Sequence, residues 1–335
     1  MKLFTYSILF LAVLVLSNSC SSKGTKVKVG FSIRGFVIER CIKERDYFTE
    51  KMTQLGGEVM IADAKENDQL QIQQSIEMLE KGVDVLVIFP VNLTTSAAIV
   101  REANKRNVKV IAYESLIQNC NLDYFVSADN EKGGVMIAQH TVKLIPQGNY
   151  ILIGGDRADR NAVLIKNGQY QVLNPLIKQG SIKIIYDIYA DWTAEEAYHE
   201  VKRAINLSGI FPDAILSSND GMATGVIKAL EEYGLSGKIP VTGLDGELSA
   251  FQRVAKGTQS MTVFKSFKIE AYSAAEIAFQ LASGKKSDKF SKEIFNGSIN
   301  VPSYLIEPIL VDKNNIRQVI AGSGTFTEKE VFVNQ

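Results

Sequence analysis

Lys81-Gly82-Val83-Asp84-Val85-Leu86-Val87-Ile88-Phe89-Pro90 is the stretch that decides the fold. A glycine stops what precedes it, five apolar residues follow without a break, and a proline stops those. A strand with one wet face alternates apolar and polar residues. A short run that is apolar at every position is buried on both faces, as in a parallel sheet covered by helices on both sides. The flanks agree. Residues 67–80 have helical spacing and run into the Gly82 stop. Residues 94–106 read as a helix and 108–113 as the next strand. Upstream, residues 27–32 form a strand, 41–54 a helix halted by Gly56-Gly57, and 58–62 another strand. Strand and helix in strict alternation imply right-handed crossovers.

A second series repeats the plan. Helices are expected over 130–143, 161–179 (continuing with a kink through Pro175), 194–207, 220–233 and 248–255. Strands are expected over 149–154, 182–188, 214–216, 241–243 and 259–264. A further helix covers 269–282, and strands return over 299–311 and 319–321. The fold class is therefore α/β, with two Rossmann-like lobes of similar build and parallel sheets. Open sheets of this kind take ligands at the carboxyl ends of their strands. Two such edges facing across a hinge make a clamshell that closes on its contents.

The N-terminus carries an address. Lys2 supplies a charge, residues 3–16 are apolar except for Thr5 and Ser7, and Leu16-Ser17-Asn18-Ser19-Cys20 follows. This order is an export signal, and its apolar core is short for a spanning helix. Serine followed by Cys20 resembles a bacterial lipoprotein cleavage box, so Cys20 is expected to carry lipid and residues 20–25 to serve as a tether. An ordinary secreted protein with an unmodified Cys20 is the alternative. Cys41 and Cys120 could pair in an oxidising compartment, but two cysteines make no framework, and free thiols are the expectation. His140 and His199 lie in unrelated segments, so no metal site is expected.

Thirty-seven Lys and Arg balance thirty-seven Asp and Glu. With no basic run, nucleic acid and charged membrane surfaces are excluded as main partners. Phosphate-binding loops, dinucleotide fingerprints, nucleophile elbows and zinc-protease motifs are missing from the sequence. No cofactor is expected.

The informative residues are polar and stand just after strands: Arg34, Glu39 and Arg40, then Glu114 and Ser115, Asp156, Asp159 and Asn161. Asp191, Trp192, Asn219, Asp220, Asp245 and Lys265 complete the set. Sugar hydroxyls both donate and accept. Carboxylates accept from them, Arg and Lys donate to them, and Asn does both. Trp192, the only tryptophan, is a natural platform for the apolar face of a ring. Each residue also has a plain reading: Asn219 and Asp220 as helix caps, Arg40 and Lys265 as solvated charges, Trp192 as core. Their joint placement favours a site.

Several stretches carry a resemblance. They are Ile38-Glu39-Arg40, residues 81–88, Asp129-Asn130-Glu131-Lys132-Gly133, Pro146-Gln147-Gly148-Asn149-Tyr150, Ser218-Asn219-Asp220 and residues 257–263. Through them the chain resembles type I periplasmic sugar-binding proteins of ABC transport systems, most closely the D-xylose-binding branch. The resemblance implies ligand contacts from Arg40, Asp159, Asn161, Trp192, Asn219, Asp245 and Lys265. It also implies three crossings between lobes, near Ser127, Phe264 and Tyr304. The expected organisation is a signal peptide over 1–19, a lipidated tether over 20–25, an N-terminal lobe over 26–127 plus 265–304, and a C-terminal lobe over 128–264 plus 305–335.

Two departures stand out. Where the branch has Asp-Arg, this chain has Glu114-Ser115, which moves an acceptor and removes a guanidinium. Arg160 or Arg34 could compensate. Cys41 stands where the branch has tryptophan. The expected function is capture of a monosaccharide, pentose or hexose, in the interlobe cleft by a monomeric, membrane-anchored periplasmic lipoprotein that delivers it to an ABC permease. The alternative is a sensing subunit that signals to a membrane histidine kinase or chemoreceptor. A glycoside-active enzyme is disfavoured, and so is a repressor, since the signal peptide occupies the place of a DNA-binding head.

Overall fold

A computed structural model of the protein describes residues 26–36 and 39–333. The expected signal peptide, Cys20 and the tether lie outside the described residues. The chain opens with β1 (Lys28–Ile33), α1 (Glu39–Gln54), β2 (Glu58–Asp63), α2 (Asp68–Glu80), β3 (Val85–Ile88), α3 (Ala97–Lys105), β4 (Lys109–Tyr113) and β5 (Tyr124–Ala128). It continues with α4 (Asn130–Leu144), β6 (Gly148–Gly154), α5 (Arg160–Lys178), β7 (Ile182–Tyr189), α6 (Ala194–Ser208), β8 (Ala214–Ser217) and α7 (Asp220–Glu232). Next come β9 (Leu244–Asp245), α8 (Leu248–Lys256), β10 (Met261–Phe264) and α9 (Phe267–Ala282). The last elements are β11 (Lys292–Phe295), β12 (Asn300–Ile306), β13 (Ile309–Asp312), α10 (Ile316–Ser323) and α11 (Glu328–Val331).

The first sheet runs β11-β12-β5-β4-β3-β1-β2. All its pairs are parallel except β11 with β12. The apolar run of β3 is buried at all four positions. Side chains from its two faces enter different cores, Val85 and Val87 on one side and Leu86 and Ile88 on the other. That is the physical meaning of a run without alternation. Helix α9 returns to this sheet and packs Ala271, Ala274, Ala275 and Ala278 into the same core as Val85.

The second series forms the sheets β7-β6-β8 and β13-β10-β9. An isolated parallel bridge from Ile215 to Val241 links them. The expected strand over 241–243 is therefore a correction. Thr242 still donates to the Ile215 carbonyl, while the Gly243 carbonyl accepts from Val263. The segment changes partner from β8 to β10 within three residues, which leaves no room for a regular ladder. The expected strand over 319–321 is a second correction, because those residues lie inside α10. Ile316 and Ile320 stand one turn apart and are buried, with Val319 beside them, in a small core with Phe251 and Phe326. A third difference is β5, a buried strand in the stretch between the expected strand over 108–113 and the expected helix over 130–143, where no element is expected.

Strand ends feed helix starts. Asp129, Asp159, Thr193, Asn219 and Ser266 each accept a backbone N–H in the first turn of the helix they precede. Those caps fix the chain direction just where each strand ends. Helix α5 runs through Pro175 without ending.

Candidate functional site

Arg40 stands at the start of α1 and meets four carboxylates. Its Nε donates to Glu44 Oε1 at 2.8 Å. Its terminal nitrogens lie 3.2 Å from Glu114, 3.4 Å from Glu270 and 3.9 Å from Asp245. Lys265, at the end of β10, reaches Asp245 at 2.8 Å and Glu114 at 3.3 Å. Glu114 is thus held between a guanidinium and an ammonium that come from different sheets. Its backbone is in the left-handed region, φ +61°, and Asp245 has φ +111°. Non-glycine residues hold such angles at a cost of about 1–3 kcal/mol, and they persist where surrounding bonds impose them.

The surroundings decide the charges. Burial works against the Arg40 guanidinium, but Glu114, Glu44, Glu270 and Asp245 outweigh it and hold its pKa well above the ordinary value. Burial alone would raise the Glu114 carboxyl; Arg40 and Lys265 win and hold it down at about 2. Glu270 goes the other way. Burial first, then the Glu114 charge, pushes it well up, despite Arg40. The two neighbouring carboxyls are thus pushed in opposite directions, Glu114 toward the ionised form and Glu270 toward the protonated one. Buried ions survive when they are paired and hydrogen-bonded in this way.

A second group lies beside the first. Asp159 accepts the Asn161 N–H at 2.8 Å and the Trp192 Nε1–H at 3.1 Å. One carboxylate thus caps α5 and orients the indole. Asn161 donates to the Glu114 carbonyl at 3.5 Å, which ties the two groups together. Asp191 and Trp192 both adopt positive φ, and the turn lays the indole on Gly155. A Cβ at Gly155 would come within 2.1 Å of the ring, so only glycine fits beneath it. Asn219 caps α7 through Oδ1. A Cβ on Gly221 would lie 3.4 Å from Asn219 Nδ2 and 3.8 Å from the Trp192 carbonyl, so the two residues are neighbours. Ser115 is half-buried and its N–H donates to the Tyr113 carbonyl.

The structure therefore joins Arg40, Glu114, Asp245 and Lys265 directly, and joins Asp159, Asn161 and Trp192 to them through Glu114. Neither suggested substitute for the guanidinium absent at Ser115 enters the charged group. Arg34 is forked onto Glu66, with a shortest distance of 2.7 Å. Arg160 lines a cavity to the side. Asp220 is fully buried and accepts from Gly246 N, Glu247 N, Gln259 Nε2 and Thr262 Oγ1. It organises the loop that carries Asp245. Burial, with Glu247 and Asp245 adding to it, pushes its carboxyl up to about 7. Cys41 and Cys120 are buried and free, and burial pushes the Cys41 thiol up to about 12.

Sequence reasoning misses Glu44, Glu270 and Tyr113, whose hydroxyl donates to Glu44 at 3.0 Å. Glu44 had a signal, since it lies four residues after Arg40 on one helix face. Glu270 had none, because it sits within a helix from a distant part of the chain. Together the site offers donors (Arg40, Lys265, Asn161), acceptors (Glu114, Asp245, Asp159) and an indole. That set matches a small polyhydroxy molecule. Among the described residues no group of three or more His, Cys, Asp or Glu side chains is placed to hold a metal ion.

Comparison with known proteins gives a consistent picture. A sequence model of the periplasmic binding protein domain matches residues 29–286. The chain is 41% identical to the D-xylose-binding periplasmic protein of Haemophilus influenzae, over 96% of each chain. It is 39% identical to the protein of the same description from Escherichia coli, over 97% of this chain and 98% of that one. Among solved structures, a carbohydrate transporter solute-binding protein from Chloroflexus aurantiacus in complex with D-glucose superposes with a TM-score of 0.83. That protein is 25% identical, over 91% of this chain and 98% of its own.

Proposed function

The chain belongs to the periplasmic binding protein family, close to its D-xylose-binding branch, and from that premise we propose that it captures a monosaccharide between its two lobes for import by an ABC permease. The observation that carries this reading is the Arg40–Glu114–Lys265–Asp245 chain of ion pairs. It joins the first sheet to the β13-β10-β9 sheet at the carboxyl ends of β4, β9 and β10, with Trp192 oriented beside it by Asp159. Ligand contacts are assigned to Arg40, Glu114, Ser115, Asp159, Asn161, Trp192, Asn219, Asp245 and Lys265. The lobes are taken as 26–127 with 265–304 and 128–264 with 305–335, and the protein as a monomer. The lipid anchor at Cys20 rests on the sequence around it.

The ligand is a pentose or hexose. Relatives carry D-xylose in their names and a structural neighbour holds D-glucose, while Ser115 gives this cleft one cation fewer than the branch pattern. Hydrolytic chemistry does not suit the group. Of its raised carboxyls, Glu270 is 1% exposed behind Arg40, out of reach of a glycosidic oxygen, and Asp159 is committed to the Asn161 and Trp192 N–H groups. Calorimetric titration against pentoses and hexoses tests the proposal. One-to-one binding of at least one neutral monosaccharide is expected, weakened about tenfold or more by Asp245→Ala, the equivalent of one lost polar contact. Binding of another solute class with no response to any neutral sugar would overturn it.

A further inference from the structure

Beside the charged group lies a cavity of about 290 Å³, near the lower end of the range for small-molecule sites, roughly 300–1,000 Å³. Its walls come from the β11-β12-β5 side of the first sheet and from the starts of α4 and α5. The edge strand β11 contributes Lys292, Ile294 and Phe295, and the starts of α4 and α5 contribute Asn130, Arg160 and Leu164. Two further lining residues, Ser127 and Asn161, bond Glu114. The cavity therefore opens off the cleft just where the charged group ends.

Its chemistry is that of a second sugar position. Asn130 is 3% exposed, and its carboxamide oxygen has no hydrogen-bond partner. A buried acceptor left in that state is unfavourable unless something donates to it, and a ligand hydroxyl in the cavity would supply the donor. Phe295 is 58% exposed at the end of the edge strand β11, a large ring with no core to serve. Arg160 and Lys292 add donors. Apolar ring, unpartnered amide and basic side chains repeat the pattern of the first group: a ring face to stack on and hydroxyl partners around it.

We propose that this cavity is a second subsite, so that the cleft also accepts a two-ring saccharide whose first ring lies against Arg40, Glu114 and Trp192 and whose second ring lies between Phe295 and Asn130. The proposal deepens the sugar-binding reading and rests on it. No covalent step is involved, only accommodation of a longer neutral ligand.

The test titrates the purified full-length protein with D-xylose and D-glucose as single rings, and with β-1,4-xylobiose and cellobiose as double rings, in the wild type and in Phe295→Ala. Phe295 is exposed and lies outside the first group, so the variant should fold and bind a single ring as the wild type does. Expected is saturable binding of a disaccharide that Phe295→Ala weakens by about fivefold, the effect of one lost ring contact. An Asn130→Ala variant, checked for wild-type binding of the single ring, should weaken the disaccharide as well. Single-ring binding with no disaccharide binding would overturn the subsite and leave the sugar reading intact. Disaccharide binding unchanged in both variants would also overturn it. Failure of every single ring would instead strike the sugar reading itself.

Discussion

Glu114 carries the most at the scale of the residue. It adopts positive φ and holds two cations at once. Its folded pKa, about 2, lies below the ordinary glutamate value of about 4.3. The native state therefore binds fewer protons at this site than the unfolded chain between those two values. The stability contributed by Glu114 is complete above about 4.3 and is lost as pH falls toward 2. Urea unfolding followed down through that window should show a steeper loss in the wild type than in Glu114→Gln. Parallel curves would mean that the pairing with Arg40 and Lys265 adds nothing. Glu44 and Glu270 are raised, so what they contribute is complete below about 4.3 and is lost only as pH rises above it, outside this window. The strand-end members of this group were legible in the sequence, because position after a strand is enough to nominate Arg40, Glu114, Asp245 and Lys265. The carboxylates behind Arg40 were not, since a buried Glu on a helix has the same local pattern as an exposed one.

At the scale of the element, legibility followed periodicity. The continuous run of β3 and the Gly stops named most of the first sheet. Periodicity failed where segments were short. Residues 319–321 look extended because they are apolar and two of them, Val319 and Ile320, are β-branched, yet the neighbouring Ile316 places them on a helix face. Close packing between helices was also invisible. A Cβ on Gly168 of α5 would lie 2.0 Å from the Glu131 carbonyl of α4, a backbone atom that cannot turn aside. Gly168→Ala should therefore destabilise the protein by roughly 1–3 kcal/mol through forced separation of the two helices. Gly322→Ala, in α10 with nothing within 4 Å, should be neutral or slightly stabilising. Equal denaturant midpoints for the two variants would contradict this account of the α4–α5 contact.

At the scale of the whole molecule, the first sheet and the β13-β10-β9 sheet are joined through ion pairs rather than a shared core. Arg40 and Glu114 stand at the edge of one sheet, Asp245 and Lys265 at the edge of the other. Lys132 and Glu307 add a further pair beside the crossings. Polar joints of this sort allow hinge motion more readily than a buried apolar interface would. The sequence made the two lobes visible because strand and helix alternate twice. It did not reveal the return of α9, β11 and β12 to the first sheet except through resemblance, since nothing local marks which sheet a late element joins. The most direct measurement uses Trp192, the only tryptophan in the chain, as its own reporter. Its fluorescence should change saturably when a neutral pentose or hexose is added, with the midpoint moved about tenfold or more in Asp245→Ala. A signal that stays flat across the whole sugar panel would contradict capture of a monosaccharide at this cleft.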